Sequence, residues 1–510
     1  MGNIKKWIQL CFFLLSAGMM LALYFGYGNG DDGDLRIGRD HDTIIAELTG
    51  NIENVIDRVT LQIDDDGQVT QHVLDRNERM WTFAGELNKT YLVDAQIEYA
   101  SGNTQDIHKE LYLYDAEALP DLPVVRITTL SGEEPTCNFL AAPENARGMT
   151  TIDHSLEKAV VVLDFPDRPS VTLRSEIRIR GNTSSTSKEK VSYKLNLKDK
   201  EDLLGRGKSH ANKEWVLLNC GGNLNLYVGN LLSNLIELDY SPACTLVNVI
   251  LNDDWKGIYY LSETVSRAEN RVNIGYDGSI FENDLYWWSE ELYHRAPGQD
   301  YAVAFTVKYP DITNAQDMRF QTLTQLIDDF TGRIEGRDES VWEMLDIDSF
   351  VNWIIVQDIL RQGDVTGSNM YYSIKHLRQA VGTDNKITIG PMWDFDAVLG
   401  ASRTWMPDVP GWSRPHLDTS RYYAQLFDTA VFRQAYKTRW QSVTSSICES
   451  LTSDLLSLLE QHGEAIEKSR KMNDLRWGTW SQPVQDEVDY DIAFLRQQKE
   501  WIDEAVELWN

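Results

Sequence analysis

The hydrophobic pattern divides the chain into a long apolar run, a stretch of short alternating segments, and a region where strand-like and helix-like periods follow one another. Residues 7–30, behind Lys5 and Lys6, carry no charge and centre on LCFFLLSAGMMLALYF. That is long enough to cross a bilayer as a helix of about 20 residues, with the basic flank inside and Asp31 onward exported. No persuasive small-x-small cleavage site follows, which favours a signal anchor over a removed signal peptide for residues 1–30. Residues 31–42 are polar and glycine-containing, as in a linker. Over 43–119, runs such as RVTLQI, MWTFAG and YLVDAQIEYA alternate with turn clusters, which predicts a small β-sandwich-like domain. Its DDDG cluster, Asp64 to Gly67, reads as a hairpin turn, because the spaced ligands and closing glutamate of a calcium loop are missing. EALPDLPVV marks the passage to a second domain, 120–510. This domain opens with strands and continues through helices predicted at 224–238, 320–330, 340–361 and 431–471, the order of an α+β unit.

Charge narrows the partners. The formal net charge of −30 repels nucleic acid wherever no basic patch reverses it locally, so DNA and RNA are excluded as expected partners. The cysteines outside the apolar run, Cys137, Cys220, Cys244 and Cys448, form no CxxC, which excludes a thiolate zinc site and a dense disulfide scaffold. A single bridge, Cys220 to Cys244, is compatible with the sequence.

One segment reverses the charge. In SEIRIRGNTSSTSKEKVSYKLNLKDK, Ile177 and Ile179 alternate with Arg178 and Arg180, and Tyr193, Leu195 and Leu197 alternate with Lys194, Asn196 and Lys198. Two half-buried strands therefore flank a loop of small residues. Residues 174–200 hold eight Lys or Arg against three Asp or Glu, a balance suited to an anion. Gly181 permits close backbone approach, and Asn182, Thr183, Ser184 and Ser185 offer amides and hydroxyls for phosphate oxygens. The bland alternative is an edge hairpin whose lysines discourage aggregation.

A second constellation lies downstream. In DILRQGDVTGSNMYY a helix gives way to an extended run, leaving Asp364 and Asn369 in the connection at D-x-x-x-x-N spacing. Protein kinases use that spacing for a catalytic-base aspartate and a metal-binding asparagine. About 25 residues later ITIGPMWDFD delivers Asp394, Phe395 and Asp396, paralleling the kinase D-F-G. Residues two apart on a strand share a face, so Asp394 and Asp396 are expected to address one divalent ion together. Phosphoryl transfer needs these types together: a cation, a basic clamp and a base near the acceptor hydroxyl.

RIRGNTS, YKLNLK, WVLLN, LNDDWKGIYYLSE, GDVTGSNMYY and PMWDFD, in this order over residues 122–403, resemble the CotH family of spore-coat protein kinases. The resemblance implies an atypical kinase-like fold that uses ATP with Mg²⁺, or Mn²⁺, to phosphorylate a protein acceptor, for which a basic, Ser-rich coat or surface protein is expected. It implies that Lys194 contacts the α/β-phosphates and that Arg180, Gly181, Asn182, Thr183 and Ser184 bind the nucleotide. Asp364 would act at the acceptor hydroxyl, Asn369 and Asp394 would bind metal, and Asp396 would hold a second ion or orient the first. Glu263 would either pair with Lys194 or face the adenine. Two departures concern accessory contacts: CGGNLNLYVGNLLSNLI lacks the family's usual aspartate and arginine, and NDDWKG replaces its N-G turn. Two competing readings are a non-catalytic surface or coat protein on the same scaffold, and a carboxylate-pair glycosidase with Trp287, Trp288 and Trp405 as sugar platforms.

Overall fold

The computed structural model describes residues 34–509 except 51, 53–54, 117–118, 120–121, 183–184, 186–189, 299–302, 364–368, 383, 400–408 and 414–421. The expected membrane segment lies outside the described residues, and among those described no helix is long and apolar enough to cross a membrane.

Seven strands form the first unit: β1 (Asp34–Asp40), β2 (Thr43–Thr49), β3 (Ile56–Asp65), β4 (Gln68–Leu74), β5 (Met80–Ala84), β6 (Lys89–Tyr99) and β7 (Thr104–Leu113). They make two sheets, ordered β1-β2-β5 and β4-β3-β6-β7. Alternate residues such as Ile44, Ala46, Val59, Leu61, Val93 and Ala95 fill the core between them. Much of the segment expected as a linker is strand β1, whose Leu35 and Ile37 enter that core. Asp66 and Gly67, with φ of 51° and 89°, form the hairpin turn expected at DDDG.

The second unit begins with a closed barrel, ordered β11-β12-β13-β14-β16-β15-β8. Its strands are β8 (Val124–Thr129), β11 (Glu157–Asp164), β12 (Val171–Arg180), β13 (Ser192–Glu201), β14 (Asn212–Asn219), β15 (Cys244–Leu251) and β16 (Asp254–Glu263). The β15–β8 pair is parallel. Inward residues including Ile177, Ile179, Leu195, Trp215, Val247 and Tyr259 pack the interior, so the alternating charges point outward. A small hairpin, β9 (Asn138–Ala141) and β10 (Met149–Ile152), lies outside the barrel sheet.

A five-stranded sheet follows, ordered β18-β19-β17-β20-β21, from β17 (Ser279–Asp284), β18 (Tyr293–His294), β19 (Ala304–Tyr309), β20 (Met370–Ile374) and β21 (Thr388–Met392). The helices are α1 (Asn225–Leu235), α2 (Met318–Gly336), α3 (Ile347–Leu360), α4 (Tyr422–Leu426), α5 (Ala430–Trp477) and α6 (Val484–Glu507). Helix α3 is apolar around most of its circumference and is buried among α1, α5, α6 and β21. The mixture of strands and helices is the expected α+β class.

Helix α5 also reaches the first unit. Arg476 bonds both Asp254 carboxylate oxygens at 2.7 and 2.8 Å and lies 4.8 Å from the Tyr112 ring centre. Tyr112 and Tyr114 pack on Trp255, so the departing NDDWKG hairpin serves as the dock between the units. Its turn residues Asn252 and Asp253 are both left-handed, with φ of 49° and 66°. The four described cysteines are free thiols, so the Cys220–Cys244 bridge is not formed. Burial pushes those two thiols up to about 11 and about 12.

Candidate active site

The basic hairpin is β12–β13, with Arg178 opposite Lys194 and Arg180 opposite Ser192. Because Ile177, Ile179, Tyr193 and Leu195 face the barrel core, Arg178, Arg180 and Lys194 lie on its outer surface. Lys194 Nζ bonds Glu214 Oε1 on β14 at 2.7 Å. Gly181, at φ 114°, turns the chain out of β12 in a conformation favouring glycine. Two β10 hydroxyls brace this turn: Thr151 Oγ1 donates to Gly181 O at 2.7 Å, and Thr150 Oγ1 to Asn182 Oδ1 at 2.6 Å. Thr183 and Ser184 lie outside the described residues.

Lys190, one of the basic residues counted toward anion binding, is instead buried. Its Nζ donates to Ile258 O at 2.8 Å and Asn473 Oδ1 at 2.7 Å, and burial lowers its pKa to about 7.

The carboxylate constellation forms where α3 meets the end of the five-stranded sheet. Asp346 caps the helix by accepting from Ser349 N at 2.9 Å, and Arg361 closes it in a left-handed conformation. Gln362 Nε2 then donates to Asp394 O at 2.8 Å and Gly363 N to Ala397 O at 2.9 Å, fastening the start of the D-x-x-x-x-N loop to the WDFD segment. Asp364 lies outside the described residues. The pairing of Met370 with Met392 puts Asn369 and Asp394 at one end of neighbouring strands.

The expected shared strand face of Asp394 and Asp396 is absent. β21 ends at Met392, and Asp394 adopts a left-handed conformation with φ 62°. The Asp396 amide donates to Asp394 Oδ1 at 3.4 Å, and Asp396 itself is exposed. Its carbonyl accepts from Asn225 Nδ2 on α1 at 3.2 Å. The residue between them, Phe395, is buried against Gly229, where an added Cβ would lie 2.2 Å from the ring. The departing CGGNLNLYVGN segment thus supplies the support under WDFD.

Arg180 links the two constellations. Its guanidinium lies 5.7 Å from the Trp393 ring centre. Burial lowers its pKa, opposed by Tyr371 and Asp394, so the outer barrel surface faces the carboxylate end of the sheet. Glu263 does not join this junction. Its buried carboxylate pairs with Arg206 and Arg271 and accepts from Ala243 N at 3.0 Å, which overturns the expected alternative of a pair with Lys194.

Sequence reading missed a charged group on the same sheet, built on the buried carboxylates of Glu282 and Asp284. Glu282 accepts from the Asn369 amide at 3.1 Å, and Lys308 lies 3.4 Å from Glu282, 3.0 Å from Asp284 and 2.9 Å from Glu290. Burial and then Asp284 raise the Glu282 pKa to about 7, against the pull of Lys308. Burial works against the Lys308 charge, but the three carboxylates together hold its pKa well above the ordinary lysine value. The signal was present in SIFEND and AFTVKY, where charged residues share a strand with apolar ones, but which strands pair is not visible locally.

Of the tryptophans nominated as sugar platforms, the two described ones are engaged by neighbouring residues. Trp287 is buried beneath Arg295, whose guanidinium lies 4.1 Å from its ring centre, Trp288 donates to Arg147 O at 3.2 Å, and Trp405 lies outside the described residues.

Against this geometry, the model of the CotH kinase protein family matches residues 177–502. The chain belongs to the CotH kinase family. The matched region spans the basic hairpin, the D-x-x-x-x-N loop, WDFD and the helices behind them, and the β-sandwich lies outside it. No curated protein matches the chain.

Proposed function

We propose that this CotH family member transfers the γ-phosphate of ATP to hydroxyl side chains of a protein acceptor. The observation carrying this reading is the place of Arg180, on the outer barrel surface and 5.7 Å from the ring centre of Trp393, the residue before Asp394, which shares the sheet end with Asn369. Lys194 would hold the α/β-phosphates, with Arg180, Gly181, Asn182, Thr183 and Ser184 over the nucleotide. Asp364 would take the proton as the acceptor oxygen bonds to the γ-phosphorus and the bond to ADP breaks. Asn369 and Asp394, with Asp396 as an auxiliary, are oxygen donors of the hard type that suits Mg²⁺ or Mn²⁺. Among the described residues no group of three His, Cys, Asp or Glu forms a metal cage. Mg²⁺ is commonly bound through one or two carboxylates plus substrate phosphates. Bound there, the ion would neutralise charge on the transferring phosphate.

The net charge of −30 favours a basic acceptor, and a basic Ser-rich coat or surface protein fits that chemistry. Residues 7–30 would tether the enzyme to a membrane, with the remainder extracytoplasmic.

Asp394→Asn should lose metal-dependent nucleotide binding and all transfer. Asp364→Asn should still bind Mg²⁺ and ATP yet transfer ~10²- to 10⁴-fold more slowly. Calorimetry with and without EDTA, paired with radiolabel transfer, separates the two. Wild-type turnover by Asp364→Asn would end the kinase-like assignment of that loop.

A further inference from the structure

We infer that Glu282, held by Lys308, is a positioning residue that fixes Asn369 at the end of the sheet. Asn369 sits in the left-handed region with φ 66°, and its main-chain amide donates to Glu282 Oε1 at 3.1 Å. The next residue, Met370, begins β20 and pairs with Met392, two residues before Asp394. The conformation of Asn369 therefore determines how the D-x-x-x-x-N loop joins the strand beside WDFD.

Glu282 is well suited to this task because it is itself over-determined. It lies on β17 opposite Tyr371 of β20 and Thr306 of β19. Lys308 faces its second carboxylate oxygen and is in turn gripped by Asp284 and Glu290. Asp284 is fixed by Thr306 Oγ1 at 2.9 Å and by the Tyr286 amide at 2.7 Å. A carboxylate 6% exposed and close to a second carboxylate is costly without a cation, so Lys308 supplies the counter-charge that keeps Glu282 in place. Outer groups that orient a metal ligand typically govern affinity as strongly as this arrangement implies.

The inference depends on the phosphotransfer reading only in its metal arm, so two readouts are required. Hydrogen–deuterium exchange at the Asn369 amide should be measured on the full-length protein in detergent for wild type, Glu282→Ala and Glu282→Gln. The alanine variant should exchange about tenfold faster at that amide, the equivalent of one net hydrogen bond, while Gln, which keeps an acceptor oxygen, should stay close to wild type. In the second readout, the Mg²⁺ concentration for half-maximal ATP binding should rise roughly 10- to 100-fold in Glu282→Ala and recover in Glu282→Gln. Unchanged Asn369 exchange in the alanine variant overturns the inference. So does protection lost equally throughout the barrel, or a Gln variant indistinguishable from Ala. If wild type binds no Mg²⁺–ATP, the phosphotransfer reading fails, and the exchange readout still decides the role of Glu282.

Discussion

Replacing Lys190 with Met tests whether a buried lysine is neutral in the folded protein. The side chain lies among Ile258, Tyr259 and Asn473, with Nζ 4.5 Å from the Tyr259 ring centre, and burial lowers its pKa to about 7 from 10.5. Cys220 and Asp474 act to raise it and Arg476 to lower it further. Above pH 7 the folded state gives up the proton while the unfolded state keeps it until about 10.5. The unfolded state then binds more protons, so stability rises with pH across this window. Below pH 7 both states are charged, and the folded protein bears the full cost of burying the ammonium. One group contributes about 1.4 kcal/mol per pH unit, so between pH 7 and 9 wild type should gain roughly 2–3 kcal/mol relative to Lys190→Met. Urea denaturation of both proteins at pH 6, 7, 8 and 9 measures the difference, in which titrations common to both cancel. A difference constant across the series would mean that Lys190 carries the same charge folded and unfolded, and the burial argument would be refuted.

Arg476→Ala leaves buried Asp254 without its bidentate partner. Lys256 stays at 2.7 Å, so thermal denaturation should reveal a loss toward the lower end of the ~3–5 kcal/mol typical of breaking a buried pair, and an unchanged melting profile would deny that this pair fastens α5 to the barrel. Gly229→Ala in an exposed helix would gain about 1 kcal/mol. Here the new Cβ meets the Phe395 ring at 2.2 Å, so a loss of ~1–3 kcal/mol and weaker nucleotide binding should result, and a more stable variant would contradict the packing under WDFD.

Period-2 alternation made the faces of β12 and β13 legible, placing Arg180 and Lys194 outside and Ile179 and Leu195 inside before any coordinates. Barrel closure was not legible, because it rests on β8 pairing with β15, more than a hundred residues away. Glu263 illustrates the same limit: its strand was evident, but its partners Arg206 and Arg271 arrive from two loops. WDFD was found by spacing, yet extrapolating the strand through Asp396 failed because Asp394 turns left-handed beneath α1. The Glu282–Lys308 group escaped notice since Glu282 and Lys308 lie on two strands separated in sequence, meaningful only once β17 and β19 are neighbours. Helix α6 was not marked off from the helical region before it, although Pro483 separates it from α5.

The reach of helix α5 has a consequence for the order in which the protein can mature. Asn473 and Arg476 emerge from the ribosome more than two hundred residues after Lys190, just before β13, and Asp254, at the start of β16, which they cover. A nascent chain stopped before Ala430 would own every barrel strand, the basic hairpin and the carboxylate constellation, but its buried lysine and docking aspartate would lie open to water. The barrel therefore reaches its final form only when the last helices are made. Shortening the chain from its C-terminal side would damage the barrel before it removed any residue of the candidate active site.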